Sequence, residues 1–153
     1  MGATRVKGGT RVLTGQIPAS SYGGTANKIQ LFDGKFTTGY RVVDFKIASL
    51  YPLNAGEWIS KLSTEPKSTI AEWHWDDVQE IAWAKVDQAA LFTGSQMSII
   101  RPDNMIIEDL WVTAYSTSES NVLNYEITLE QFEFPAWDGA GVMVQNLSQA
   151  GPQ

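Results

Sequence analysis

The residues best suited to acid–base chemistry lie close together near the middle of the chain. His74 is the one histidine of the sequence, and Asp76 and Asp77 follow it within three positions. A serine–histidine–aspartate arrangement would use this histidine as the base and one aspartate to orient it. The chain contains no Gly-x-Ser-x-Gly turn for a serine nucleophile, and tryptophans flank the histidine on both sides. We therefore interpret His74 as a structural or interface residue, predict no catalytic residue and expect no enzymatic activity.

The same stretch contains acidic residues that could bind a cation. Asp76, Asp77 and Glu80 lie within five residues, and clustered carboxylates can coordinate calcium. Their spacing lacks the alternating Asp-x-Asp-x-Asp-Gly pattern of a dedicated calcium loop. The chain has no cysteine, which excludes disulfides and thiolate metal sites. We therefore expect a solvated turn here and predict no metal and no cofactor.

Charge is distributed unevenly along the chain. Residues 1–50 contain seven basic and two acidic residues, whereas residues 51–153 contain four basic and fifteen acidic residues. This asymmetry suits head-to-tail contacts between copies, although folding could equally intermix the charges and leave no patch. Arg5, Lys7 and Arg11 could contact phosphates, but three charges supply little affinity at physiological salt. Nucleic acid is therefore not expected to be the main partner.

Tryptophan is unusually frequent: the chain has six, and aromatic residues make up 11% of it. Trp58, Trp73 and Trp75 are the candidates for contact with a ligand or partner, and the last two would share one face of a strand. Indole rings are favoured at protein interfaces, where a large rigid group buries area at low entropic cost. They also form stacking platforms for sugar rings. A third interpretation places each ring in the core, as we expect for Trp83.

Alternation of apolar and polar residues identifies the elements that must position these side chains. Tyr40–Leu50 and Leu123–Phe134 alternate with period two, the pattern of half-buried strands. Trp58–Leu62 and Ile106–Tyr115 are predicted strands as well, and the second is expected to form a hairpin with Leu123–Phe134. With the shorter segments we predict about eight strands and an all-β fold, a single jelly-roll-like β-sandwich.

The sandwich is expected to carry an extension at each end. We assign residues 1–24, rich in Gly, Thr and Ser, to an extended N-terminal arm, residues 25–134 to the sandwich domain and residues 135–153 to a C-terminal tail. Phe134 and Trp137 are expected to anchor the tail, either on the same domain or on the next copy. No apolar run approaches the length of a membrane span, so no membrane partner is expected.

Three segments carry a resemblance to a known class of proteins: the basic arm Met1–Gly24, the run Arg101–Val112, and Asn124–Ile127 ahead of the tail. With these features the sequence resembles small virion structural proteins built on a single jelly roll, of the kind found in bacterial viruses. The resemblance implies a self-assembling capsid, decoration or tail-associated protein. Its partners would be copies of itself and other virion proteins, in a virion assembled in the host cytoplasm.

Under this interpretation the contacts between subunits involve both extensions. The expected interface residues are Arg5, Lys7 and Arg11 in the arm, with Phe134 and Trp137 in the tail. The alternative function is a carbohydrate-binding or host-attachment module, which requires two or more exposed tryptophans that are coplanar on one face.

Overall fold

The computed structural model describes residues 4–19, 26–31, 34, 37–52, 55–67, 72–88, 95–117 and 122–133 of the chain. Within these ranges the chain forms eight β-strands and no helix. The strands are β1 (Thr4–Pro18), β2 (Asn27–Ile29), β3 (Thr38–Ser49), β4 (Gly56–Ser63), β5 (Glu80–Gln88), β6 (Gln96–Ile100), β7 (Leu110–Ser116) and β8 (Val122–Glu133).

The strands form two antiparallel sheets that pack face to face. The first has three strands in the order β1-β8-β3, and the second has five in the order β2-β7-β4-β5-β6. The hydrophobic core contains Phe45 and Ile127 from the first sheet and Trp58, Leu62 and Val112 from the second, all at most 1% exposed. The predicted all-β sandwich of eight strands is confirmed.

The period-two pattern explains which face each strand buries. In β8, Leu123, Ile127 and Leu129 are fully buried, while Asn124 and Glu126 on the other face are only partly covered. An apolar face of this kind is stable only when another layer covers it. The apolar–polar alternation that predicted strands at Tyr40–Leu50 and Leu123–Phe134 is therefore confirmed in β3 and β8.

Strand pairing follows a nested pattern. β1 pairs with β8, β2 with β7, and β4 with β5, an arrangement similar to that of a jelly roll, while β6 pairs with β5 at the edge of the five-stranded sheet. β3 and β6 also lie side by side, and side chains of β6 donate hydrogen bonds to backbone carbonyl groups of β3. Ser98 Oγ donates to the Phe45 carbonyl oxygen at 2.6 Å, and Gln96 Nε2 donates to that of Ile47 at 3.4 Å.

The predicted hairpin between Ile106–Tyr115 and Leu123–Phe134 is wrong. β7 pairs with β2 and β4, whereas β8 pairs with β1 and β3, so the two consecutive strands lie in opposite sheets. Both strands have one apolar face, and crossing between the sheets lets each bury that face against the other layer. Ile106 itself precedes β7 and makes an isolated bridge with Tyr40.

Much of the segment assigned to the arm belongs to the sandwich. Residues 4–18 form β1, which pairs with β8 from Thr4 opposite Glu133 to Pro18 opposite Val122, with a register shift between Arg5 and Thr10. Strand formation here has a physical reason, because the side chains of β1 that face inward pack on the core. Residues 1–3 and 20–25, and the predicted tail 135–153, lie outside the described residues.

Trp58 provides a test of core packing. Its ring is fully buried, so Trp58→Ala leaves a cavity and should lower the free energy of unfolding by about 3–5 kcal/mol. Its indole N–H has no hydrogen-bond partner among the described residues. Trp58→Phe should therefore lose less, since it fills much of the space and removes an unpaired donor. Urea denaturation measures both values, and equal losses for the two variants would contradict this account.

Candidate functional site

Two of the three tryptophans that the sequence singled out, Trp73 and Trp75, lie between β4 and β5, where residues 72–79 do not form a strand. Residues 72–79, called here the Trp75 loop, form successive turns: Asp77 N donates to the His74 carbonyl oxygen at 3.0 Å, and Glu80 N to that of Asp77 at 3.1 Å. The prediction that Trp73 and Trp75 share a strand face is therefore wrong. The apolar–polar alternation is present, but these turns replace the strand.

The Trp75 loop covers part of the outer face of the five-stranded sheet. Lys61 in β4 lies opposite Trp83 in β5, and both point away from the core because their neighbours Leu62 and Ala82 are core residues. Lys61 and Trp83 are nevertheless 1% and 3% exposed. Trp83 is thus buried as predicted, but beneath the loop on the outer face of the sheet.

A buried ion pair joins the sheet to the loop. Lys61 Nζ lies 3.1 Å from Glu80 Oε2, and both side chains are 1% exposed. The second carboxylate oxygen of Glu80 accepts hydrogen bonds from His74 N at 2.9 Å and Trp83 Nε1 at 3.0 Å. Lys61 also donates to the Glu72 carbonyl oxygen at 3.0 Å. Buried charges need this degree of hydrogen bonding to offset their lost hydration, so the network fixes the loop backbone at two points.

Arg101, directly after β6, holds the loop from the other side. Its Nη2 donates to the carbonyl oxygens of Trp75 at 2.8 Å and Asp77 at 3.2 Å, and its Nε to that of Glu80 at 3.2 Å. The guanidinium carbon lies 5.6 Å from the centre of the Trp83 ring, within the range of a cation–π contact. Arg101 therefore binds two carbonyl groups of the loop and that of Glu80, where β5 begins.

Asp77 supplies a further attachment. Lys67 Nζ donates to Asp77 Oδ2 at 2.8 Å, and Gln79 N donates to Oδ1 at 2.9 Å. Burial opposes ionisation of this carboxyl, but the bonds from Lys67 and Gln79, with the charges of Lys67 and His74, outweigh it. The pKa of Asp77 consequently lies below its ordinary value.

The loop presents two large apolar side chains to solvent, Trp75 and, with 37% of its surface exposed, Val78. Trp75 is 54% exposed, and its ring centre lies 5.9 Å from that of Trp83 at an interplanar angle of 54°. Trp73 is only partly exposed, and its indole N–H is buried with no partner among the described residues. Beside them, His74 Nε2 lies 3.1 Å from Glu72 Oε2, and both side chains are exposed. A flat platform of two exposed tryptophans is absent from the described part of this loop.

The other predicted site residues do not join Trp75. Trp58 lies in the core with no exposed surface, so its assignment as a ligand or interface residue is wrong: its face of β4 is the one covered by the opposite sheet. Arg11 is exposed in β1, where it donates to Tyr40 Oη at 3.2 Å and lies 5.5 Å from that ring's centre. Arg5 and Lys7 also lie in β1. Phe134 and Trp137 lie outside the described residues.

Acidic groups near the loop are engaged by lysines. Asp77 bonds with Lys67 and Glu80 with Lys61. Over the part of the chain that the structure describes, no three histidine, aspartate or glutamate side chains are grouped so that they could hold a metal ion.

A second candidate site is a cleft on the three-stranded sheet that sequence reasoning missed. Its volume is about 560 Å³. It is called here the strand cleft and is lined by Thr14–Gln16, Lys46–Ala48, Asn124–Glu126 and Gln96. These segments come together because Gly15 pairs with Tyr125, and Tyr125 pairs with Ile47.

Two residues of the cleft floor, Gly15 and Tyr125, approach each other closely on the core-facing side of the sheet, where Tyr125 packs against the hydrophobic core. A Cβ atom on Gly15 would lie 2.5 Å from Tyr125 Oη, so the tyrosine ring occupies the space that a side chain would fill. Burial raises the pKa of the Tyr125 hydroxyl above its ordinary value. A glycine inside a strand often marks such a close approach, and Gly15 was the one sequence signal that could have located this site.

Comparisons with known proteins leave these two sites as the guide to function. No protein-family model matches the chain, and a search of curated proteins gave no match. Among the described residues, no helix is long and apolar enough to cross a membrane.

The buried ion pair makes a specific prediction for stability. Lys61→Met leaves the Glu80 carboxylate buried without a cation and should lower the free energy of unfolding by about 3–5 kcal/mol. Adding Glu80→Gln should recover part of the loss, because a neutral amide is less costly to bury. As a control, Lys85→Met in the neighbouring strand β5 breaks only a partly exposed pair with Asp87 and should change stability by less than about 1 kcal/mol. Similar urea midpoints for Lys61→Met and the control would refute the proposed role.

The low pKa of Asp77 predicts a pH dependence. A carboxyl whose pKa is lowered by folding stabilises the protein above its unfolded pKa of about 3.9, and this contribution is lost as the pH falls through the lower folded pKa. Asp77→Asn should therefore be less stable than the wild type at pH 7, and the difference should shrink as the solution is acidified below that range. Thermal unfolding of both proteins across pH provides the measurement, and a constant difference would contradict this assignment.

Proposed function

We propose that this chain is a self-assembling structural subunit of a virus particle, in a capsid, decoration or tail-associated role, that acts through contacts between copies. The observation that carries the proposal is Trp75. Its ring is 54% exposed on a loop whose backbone is fixed by the buried Lys61–Glu80 pair and by Arg101. A rigid exposed indole buries a large area at low entropic cost when a partner covers it.

A second apolar position supports repeated contacts. On the outer face of the three-stranded sheet, Val12 lies opposite Thr128, and the register shift in β3 places Val43 beside the same threonine. Val12 and Val43 are 57% and 40% exposed. Neutral surface of this kind is readily desolvated in an interface. Each copy then offers exposed apolar side chains on both of its sheets, which suits contacts with more than one neighbour.

The viral part of the proposal rests on the resemblance and on topology. Three nested strand pairs in a sandwich of eight strands are similar to those of a jelly roll, an architecture that viral capsid proteins use and that lectins share. Other virion proteins would be the further partners, and the virion, assembled in the host cytoplasm, would be the location.

Self-association of the purified chain tests the proposal. Light scattering after size-exclusion chromatography should find oligomers whose mass rises with concentration, and negative-stain images should contain regular assemblies. Trp75→Ala should raise the dissociation constant at least about 30-fold, the effect expected from loss of an interface hot spot. Tyr51→Ala is the matched control, since Tyr51 is equally exposed, at 55%, but lies outside the Trp75 loop.

Two results would overturn this function. One is a wild-type chain that stays monomeric at high concentration. The other is an unchanged dissociation constant for folded Trp75→Ala, which would remove the Trp75 loop from any interface.

The alternative function, a carbohydrate-binding or host-attachment module, is not favoured by the arrangement of Trp73 and Trp75. Trp75 stacks at a tilt against a buried ring and Trp73 is partly covered, so the two do not offer a flat surface to a sugar.

A further inference from the structure

The two edges of the three-stranded sheet differ in how their backbone groups are covered. β3 forms one edge, where Val42 N donates to Asn104 Oδ1 at 2.8 Å and Asn104 Nδ2 donates to the Val42 carbonyl oxygen at 3.2 Å. Tyr40 and Ile106 exchange two backbone hydrogen bonds, at 2.8 and 2.7 Å. The two β6 side chains described above bind carbonyl groups further along β3. Neighbouring segments therefore cover the edge of β3 over much of its length.

β1 forms the opposite edge, and within the described ranges it pairs with β8 alone. From Thr10 to Ile17 this pairing has no register shift. Proteins protect exposed edges with prolines, lysines, bulges or short strands. In β1 the proline comes only at Pro18 and the register shift lies before Thr10, so the regular stretch between them contains no lysine, proline or bulge. An edge of this kind is a template for pairing with another strand.

The sequence of this edge reads almost alike in both directions. Residues 9–15 are Gly-Thr-Arg-Val-Leu-Thr-Gly, which is symmetric about Val12 except at the two positions beside it. Two copies of this strand that pair antiparallel about a two-fold axis at Val12 bring the two valines together and place Thr10 opposite Thr14 of the partner copy. Opposed threonines can share a hydrogen bond. The valines, each 57% exposed in the single chain, bury apolar surface against each other.

The core-facing side of β1 has room for such a partner at its most crowded point. Tyr125 Oη lies 2.5 Å from the position that a Cβ atom on Gly15 would occupy, so the hydroxyl reaches β1. In the two-fold pairing the residue opposite Gly15 is Gly9 of the partner copy. That residue brings no side chain toward the hydroxyl, so the glycines at the two ends of the symmetric stretch fit each other.

The one charged side chain of the stretch points away from the edge. Arg11 Nη1 donates to Tyr40 Oη at 3.2 Å, and the guanidinium carbon lies 5.5 Å from the centre of the Tyr40 ring. Tyr40 belongs to β3, on the far side of β8 from the edge of β1. The two Arg11 side chains of a pair would therefore extend in opposite directions, which keeps the repulsion between like charges small.

From these features we propose that β1 pairs antiparallel with β1 of a second copy about a two-fold axis at Val12. The three-stranded sheets of the two copies then join as one sheet of six strands. Seven paired positions contain roughly six to eight backbone hydrogen bonds, because hydrogen-bonded pairs alternate with non-bonded ones. The inference rests on the proposed function, since it specifies one contact between copies, but it uses no residue of the Trp75 loop.

Disulfide cross-linking tests the register. The chain has no cysteine, so a single introduced thiol can pair only with its counterpart in another copy. Directly opposite residues of an antiparallel pair lie about 4.5–5.5 Å apart at Cα, within the range of a disulfide. Val12→Cys should therefore form a covalent dimer under mild oxidation, as read by non-reducing gel electrophoresis.

Two further single-cysteine variants are the controls for cross-linking. Thr14→Cys lies on the same strand, but its two thiols would be offset by about 13 Å along the paired strands. Tyr51→Cys changes a residue that is as exposed as Val12, at 55%, and lies outside β1. Both should remain largely monomeric on the same gel. A Val12→Cys variant that cross-links no faster than Tyr51→Cys would overturn the inference.

An added charge at the axis is a second probe. Val12→Lys places two lysines opposite each other and should raise the dissociation constant at least about tenfold, as expected for like charges brought together in an interface. The fold should keep its circular dichroism signal, because Val12 is largely exposed. Tyr51→Lys adds the same charge elsewhere and should leave the dissociation constant, measured by light scattering over a range of concentrations, unchanged.

Hydrogen exchange identifies what covers the edge. In the wild type, amides of Thr10–Gln16 should exchange more slowly at concentrations above the dissociation constant than below it. Equal protection at both concentrations would mean that another segment of the same chain covers β1, and the pairing between copies would then be wrong.

The variants separate this inference from the proposed function. If the wild type self-associates and Trp75→Ala weakens it, but Val12→Lys changes nothing and Val12→Cys does not cross-link, self-assembly stands and the β1 pairing falls. If Val12→Cys cross-links while Trp75→Ala leaves the dissociation constant unchanged, the β1 pairing stands without the contact that carries the proposed function. A wild type that stays monomeric removes both.

Discussion

Burial of one apolar face per strand between two sheets is the constraint on which this structure depends. Neither sheet can stand alone, because the core faces of β3 and β8 are covered mainly by residues of the opposite sheet, among them those of β4, β5 and β7. The chain satisfies this constraint by crossing between the layers from β1 to β2, β2 to β3, β3 to β4 and β7 to β8, while β4 to β7 stay in one sheet. The same crossing brings positions that are distant in the chain into register, and both candidate sites are built from such positions. Function in this protein is therefore located by topology more than by local motifs.

Burial of the Lys61–Glu80 pair costs hydration free energy, whereas burial of the apolar core does not. Two charges are taken out of water on the outer face of a sheet, and their mutual attraction rarely exceeds the lost hydration by much. An apolar pair of similar size could stabilise that face equally well, but it could not bind the His74 amide and the Glu72 carbonyl group. The directional bonds of this pair fix one loop conformation, and that conformation leaves Trp75 exposed. We interpret the pair as selecting a single loop conformation rather than as adding net stability.

Sequence patterns predicted the strands better than their partners. The alternation in β3 and β8 identifies the buried face of each strand. It does not identify the strands with which each one pairs, and the hairpin prediction was wrong for that reason. Trp73 and Trp75 have the spacing of a strand, although they lie in turns. Lys61, which holds their loop, has the sequence pattern of a solvent-exposed strand residue, although it is buried. The strand cleft needs three segments more than thirty residues apart, as the pairing of Gly15, Ile47 and Tyr125 illustrates. Only the glycine is a local signal.

Two features of the three-stranded sheet, its exposed valines and the strand cleft, are adjacent. The row formed by Val12, Thr128 and Val43 lies beside the row formed by Thr14, Glu126 and Lys46, which borders the strand cleft. A copy docked on the valines would therefore cover part of the cleft. Trp75 packs on the outer face of the other sheet, so a contact through it leaves the cleft open. A contact through Trp75 can thus join copies while the outer face of the three-stranded sheet stays open.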